Sequence, residues 1–197
     1  MKKLALNLCA GASFLLLQAC DNYTTQPLCT AENSTTIPGI EGTYTVSIQG
    51  PDHDIATSEV KIEADSQNLS HLKFKGFDNK KSLIKSSEAT LCHISGRNIL
   101  QVQEESGIGY SYMALMHSAE SLTYQPVAFD RVTLDLLGIG WKIVELPSQD
   151  QVRAVSQKLT KSDGGSEAFL VTNEGIALQE VWKTARIMPV GFSLLKK

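Results

Sequence analysis

The chain has 197 residues, of which 42% are hydrophobic and 20% charged, and a formal net charge of −3. That length suits one domain with a real core and is too short for two comfortable ones. The mildly acidic balance, with no basic stripe interleaved with aromatics, excludes nucleic acid as a partner.

In chain order, Lys2 and Lys3 precede an apolar stretch over residues 4–17, interrupted only by Asn7 and small residues. This is the shape of a secretory signal. As a helix of about 14 residues it would span about 21 Å, short of the roughly 30 Å hydrocarbon core of a bilayer. Residues 1–19 are therefore read as a targeting element and not as a permanent span.

The segment closes on Leu17-Gln18-Ala19-Cys20, which resembles the lipobox of bacterial lipoprotein precursors: an aliphatic residue, a tolerant position, a small residue, then Cys. The resemblance implies a diacylglyceryl group on the Cys20 thiol, cleavage just before it, and a further acyl chain such as palmitate on the new amine. One acyl chain anchors marginally and two anchor stably. The expected mature protein is thus exported and sits on a bacterial membrane without spanning it. Asp21 follows, and by resemblance to enteric lipoproteins it favours the periplasmic face of the inner membrane, with the outer membrane as the alternative.

Cys9 leaves with the signal and Cys20 is acylated, so Cys29 and Cys92 are the thiols left in an oxidising compartment. A bridge between them is the economical reading. The other is a buried, apolar Cys92 with Cys29 stray in the linker. Residues 20–41 are rich in Thr, Asn and Ser, contain Pro27 and Pro38 and show no apolar period, and read as the lipidated N-terminus followed by a flexible tether.

Residues 42–197 form the expected single β-rich domain. Tyr44, Val46 and Ile48 alternate with polar neighbours, as do Val60, Ile62 and Ala64, then Leu72 and Phe74. Period two marks half-buried strands. Residues 90–95 and 99–103 flank Gly96-Arg97-Asn98, a hairpin turn in this reading. Residues 110–117 are apolar on both faces, so that strand is covered on both sides. Leu122 and Tyr124 mark another strand, residues 130–137 a short helical segment ending at Gly138, and residues 141–146 a strand. Ser148-Gln149-Asp150-Gln151 resembles a capping box, and Val152, Val155 and Leu159 follow at helical spacing, which predicts a late helix over 149–161. Strands are expected again over 167–172 and, after an Asn173-Glu174-Gly175 turn, over 176–182. Val190, Phe192 and Leu194 suit a last strand that pairs with an edge left open earlier.

The fold expected is mainly β: an antiparallel meander forming a curved sheet or a closed barrel, since closure removes exposed edges, with one late α-helix. Gly42-Thr43-Tyr44 at the first strand resembles the Gly-x-Trp opening of lipocalins, with Tyr44 in place of Trp, and the late helix before final strands is also like them. That resemblance implies a lipocalin-like barrel able to hold a ligand. Tyr110, Tyr112, Met116 and Trp141 are the candidate lining residues.

No nucleophile elbow, phosphate-cradling loop or His-Glu-x-x-His helix occurs, so no catalytic residue is assigned. Pro51-Asp52-His53-Asp54 is the densest group of metal-ligand types, but Pro and Asp are ordinary turn residues between two strands, and no metal or cofactor is expected. Lys73, Lys75, Lys80, Lys81 and Lys85 concentrate positive charge in one region, read mainly as a solubilising strand face. The functional expectation is a non-catalytic cell-envelope lipoprotein that binds a small apolar ligand. The alternative is an envelope protein that contacts another protein and has no ligand cavity.

Overall fold

A computed structural model describes residues 22–49, 55–77, 83–103, 107–145, 167–189 and 192–197. The first strand, β1 (Asn22–Thr24), belongs to an outer layer. The next seven follow one another as a meander: β2 (Gly42–Gln49), β3 (Ile55–Ala64), β4 (His71–Phe77), β5 (Leu83–Ile94), β6 (Arg97–Gln103), β7 (Tyr110–His117) and β8 (Ser121–Phe129). The chain's last strand, β12 (Phe192–Lys196), pairs antiparallel with β8, Leu194 opposite Leu122, and with β2, Lys196 opposite Tyr44. The result is a closed eight-stranded antiparallel barrel. Closure leaves these strands no free edge.

The alternation read in the sequence is what fills the barrel. Val46 and Val60, Ile62 and Phe74, Leu91 and Leu100 all face one interior cluster, because side chains two apart along a strand share a face. The β5–β6 hairpin turns at Ser95 and Gly96, both with positive φ (49° and 78°), as a two-residue type I′ turn requires. The turn therefore lies one residue earlier than expected, and Arg97 and Asn98 are already paired with Ile94 and His93.

The second layer packs on the outside of one barrel wall. Here β1 pairs in parallel with β10 (Glu167–Thr172), and β10 pairs antiparallel with β9 (Gly140–Glu145). The short helices α1 (Arg131–Leu136) and α2 (Leu178–Lys183) and strand β11 (Ala185–Ile187), which pairs with the end of β8, complete it. The helical segment expected near residue 130 is α1.

Two expectations are corrected. Residues 22–41 are not a free tether: Tyr23, Leu28 and Ile40 are buried, and β1 is hydrogen-bonded into the sheet. The close approach depends on Gly109, where a Cβ would stand 2.3 Å from the Thr24 carbonyl oxygen. Residues 178–183 are helical rather than extended, since Leu178, Val181 and Trp182 fall at i, i+3 and i+4 and bury one face. The helix expected over 149–161, the Pro51-Asp52-His53-Asp54 group, Lys80, Lys81 and Cys20 lie outside the described residues.

Candidate functional site

Two apolar enclosures share the barrel wall. The inner one is the barrel itself. Its lower end, where the β3–β4, β5–β6 and β7–β8 hairpins lie, is solid: Tyr44, Ile62, Leu72, Leu91, Leu122 and Leu194 have almost no exposed surface. The Tyr44 hydroxyl donates to the Ile40 carbonyl at 2.6 Å, and the Lys196 ammonium donates to the Gly39 carbonyl at 2.6 Å while lying 5.9 Å from the Tyr44 ring. Burial pushes the Tyr44 phenol above its ordinary pKa. His117 sits at the same end with a buried Nε2 that has no hydrogen-bond partner.

Towards the other end the inward positions become small. Gly76 lies opposite Val60, Ser87 opposite Phe74, Ala89 opposite Val102, and Ser111 opposite Val102 from the other side. Between these small residues and the floor stands Tyr124, its ring 6.4 Å from Phe74 in an edge-on contact. Its hydroxyl is fully buried and finds no partner. Desolvation, and secondarily the nearby Tyr44, push the Tyr124 phenol well above its ordinary pKa, so it is a neutral donor at any physiological pH.

The outer enclosure lies between the barrel wall and the second layer. It receives Ile99, Tyr112, Ala114, Val127 and Phe129 from the wall and Leu28, Phe169, Val171, Val181 and Trp182 from the layer. Cys29 and Cys92 form a disulfide here, with Cα atoms 5.4 Å apart. Around it, Gln101 Oε1 accepts from the backbone N–H of both Leu28 and Cys29, each at 2.8 Å. The Asn173 side chain accepts from the Gln26 N–H at 2.8 Å and donates to the Gln26 carbonyl at 3.2 Å. Tyr112 shares a 2.6 Å hydrogen bond with Thr24, accepts from the Leu28 N–H at 3.2 Å, and packs edge-on against Phe129.

None of the four expected lining residues faces the barrel interior. Tyr112 is in the outer core, Tyr110 and Trp141 pack partly against it, and Met116 is 53% exposed on the outer surface. Trp141 lies 5.1 Å from Phe169, with the Arg131 guanidinium over both rings, and its indole N–H donates to Asp135 at 2.7 Å. The inward apolar residues of β7 are Met113 and Leu115. The strand is covered on both sides as expected, with the two faces exchanged. In the sequence Tyr124 and Asn173 read only as a strand and a turn residue, and Ser111 and Gln101 carry no site role; a Gln between Leu100 and Val102 in an apolar strand is the one available signal.

Lys73 and Lys75, the members of the lysine-rich region whose side chains are described, lie on an outer barrel face. Lys61 and Lys75 lie 2.7 and 2.5 Å from Glu63, and Lys73 lies 3.3 Å from Glu88. Hydrogen bonds from Lys61 and then Lys75 lower the Glu63 pKa to about 2. A charged exterior around an apolar interior is the reverse of a membrane-spanning barrel. Among the described residues, no helix is long and apolar enough to cross a membrane, and no cluster of three His, Cys, Asp or Glu is placed to hold a metal. Compared with protein-family models, with curated proteins and with solved structures, the chain matches none.

Proposed function

We propose that this chain is a lipid-anchored, non-catalytic envelope protein whose barrel holds one small, largely apolar molecule bearing a single hydrogen-bonding group. The observation that carries the reading is the Tyr124 hydroxyl, buried without a partner in a mainly apolar interior, between the small upper residues and the solid floor. A buried hydroxyl left unpaired costs about 1–3 kcal/mol, and a guest's polar group would recover that cost. Small residues toward the upper end, Gly76, Ser87 and Ser111, favour entry there, whereas the lower end is plugged by Tyr44, Ile40 and Lys196. Eight-stranded barrels are just wide enough either to fill with side chains or to hold one small ligand. The lipobox-like Leu17-Gln18-Ala19-Cys20 supports anchoring of this module to a bacterial membrane.

Both tryptophans lie outside the barrel, so calorimetry rather than intrinsic fluorescence is the suitable readout. Titration of the unlipidated domain with a fatty acid, the matching fatty alcohol and the matching alkane is expected to give saturable binding of the polar-headed probes. The alkane is expected to bind at least about tenfold more weakly, one hydrogen bond to a buried donor being worth about that factor. Tyr124→Phe should erase the difference. Absence of saturable binding by every probe would reject the ligand reading and favour the protein-contact alternative.

A further inference from the structure

We infer that the polar group of the barrel's guest is a carboxylate, its charge met by Lys85 at the upper mouth while the Tyr124 hydroxyl donates to it from below. This rests on the reading of the barrel as a ligand site. Strand register separates Lys85 from Lys73 and Lys75, which lie on the outer face.

Along β5 the inward positions are Leu91, Ala89 and Ser87, and Lys85 is the next in the same alternation. Its partner on β4 is Gly76; Gly76 pairs with Val60, Val60 with Tyr44, and Tyr44 with Lys196. Val60 and Tyr44 belong to the barrel core, so the whole row is a row of the inner wall. Because barrel strands are tilted, such a row climbs from the floor to the mouth. The register shift between β4 and β5 comes only beyond Gly76 and Lys85, and leaves this parity intact.

The inner wall has no anion of its own. Among the described barrel strands no inward position holds Asp or Glu, and Glu59, Glu63 and Glu88 all stand on the outer face. The inward register therefore carries a lysine at each end, Lys196 at the floor and Lys85 at the mouth, with no carboxylate between them. A cleft lined by one sign of charge between apolar walls focuses the field and draws in a ligand of the opposite sign.

The level of Lys85 suits a head that also meets Tyr124. Ser87, one inward step below Lys85, pairs with Phe74, whose ring lies 6.4 Å from that of Tyr124. One such step is about 6.7 Å along a strand, comparable to the length of a lysine's flexible four-carbon stem. Gly76, the residue opposite Lys85, presents no side chain there. A carboxylate has two acceptor oxygens, so one head can take both the tyrosine O–H and an ammonium. Without a cation it would be expelled from an apolar interior; an alcohol head needs the tyrosine alone.

The test is calorimetric titration of the unlipidated protein with decanoate and with decan-1-ol at about pH 8, where a carboxylic acid is ionised. Parent, Lys85→Gln and Lys85→Arg are compared. The parent is expected to bind the acid about tenfold more tightly than the alcohol, charge-assisted hydrogen bonds being roughly twice as strong as neutral ones. Lys85→Gln should lose that preference and Lys85→Arg should keep it. Saturable alcohol binding by Lys85→Gln shows that its barrel is intact. Equal affinity of acid and alcohol in the parent, or a preference that survives Lys85→Gln, overturns the carboxylate assignment and leaves the barrel as a ligand site. Loss of both probes in Lys85→Gln would make Lys85 a support of the wall and overturn its role at the head. Absence of saturable binding by either probe in the parent overturns this inference and the ligand reading together.

Discussion

The inner and outer cores are built on the two faces of the same strands, yet they are held by different means. The inner core comes from strands that follow one another along the chain, β2 through β8, with β12 added last, and it is mainly apolar, with few polar groups, the unpartnered Tyr124 hydroxyl among them. The outer core joins residues far apart: Thr24 to Tyr112 across 88 positions, Asn173 to Gln26 across 147, Cys29 to Cys92 across 63. Its buried polar groups, Thr24, Gln101 and Asn173 among them, are hydrogen-bonded. Contacts between neighbouring hairpins close short loops, whereas long-range contacts must first overcome a larger entropy cost. The barrel can therefore draw its stability from burial alone, while the outer layer needs directional bonds and a covalent link to hold its register.

The largest effect should come from the covalent link. Replacing both Cys29 and Cys92 by Ala opens a loop of 63 residues, for which the chain-entropy estimate is roughly 4 kcal/mol of lost stability. The loss should be uneven. Hydrogen exchange is expected to quicken first at outer-layer amides such as Leu28 and Val171 and last at barrel amides such as Leu100 and Met113. Uniform acceleration would mean that the two cores unfold as one unit.

Next in size is Tyr112→Phe. The ring and its contact with Phe129 survive, but Thr24 keeps only its bond to the Gln26 carbonyl and the Leu28 N–H keeps only Gln101. A loss of about 1–2 kcal/mol is expected from denaturant unfolding, the worth of the buried hydrogen bonds that the Tyr112 hydroxyl makes. A neutral result would show that the outer network holds no stability of its own.

These differences also explain what could be read in advance. Alternation at Tyr44, Val46, Val60, Ile62, Leu72 and Phe74 made the strands legible, because a half-buried strand must repeat every two residues. In β7, where both faces are apolar, the period identifies two faces but not which one the barrel encloses; the aromatic Tyr110 and Tyr112 drew the choice to the wrong side. The segment carrying Tyr23 and Leu28 has isolated apolar residues without period, so its burial depended on partners such as Gln101 and Asn173 more than 70 positions away. The spacing of Leu178, Val181 and Trp182 did hold a helical signal, obscured by the β-favouring residues around it. The Cys29–Cys92 bridge was legible by counting thiols, since a covalent pairing needs no knowledge of the packing.

A smaller effect belongs to the part of the wall that neither layer covers. Glu63, flanked by Lys61 and Lys75, has its folded pKa lowered to about 2 from an ordinary 4.5. A depressed carboxylate stabilises fully above its unfolded pKa and loses that contribution as pH falls through the folded one. The stability difference between the protein and Glu63→Gln should therefore be present at pH 7, shrink between about pH 4.5 and pH 2, and weaken with added salt because the pairs are solvent-screened. A difference that stays constant from pH 7 to pH 2 would show that the ion pairs are not its source.

The smallest expected change in stability is the most discriminating. Tyr124→Phe removes a hydroxyl that has no partner and keeps the ring that meets Phe74. Truncating a satisfied hydroxyl destabilises, whereas removing an unsatisfied one relieves a desolvation cost, so the ligand-free protein is expected to be unchanged or to gain up to about 1 kcal/mol. Set beside Tyr112→Phe, the same chemical change on opposite faces of one wall should have opposite signs. Thermal unfolding of both variants, each with and without a saturating fatty acid, reads the two cores together. If the barrel holds a polar-headed guest, the fatty acid should raise the melting temperature of Tyr112→Phe as much as that of the parent and raise that of Tyr124→Phe less, because a ligand stabilises in proportion to its affinity for the folded state. A destabilised Tyr124→Phe without ligand would mean that the hydroxyl is already satisfied in solution, and the reading of the barrel as a site awaiting a guest would fail with it.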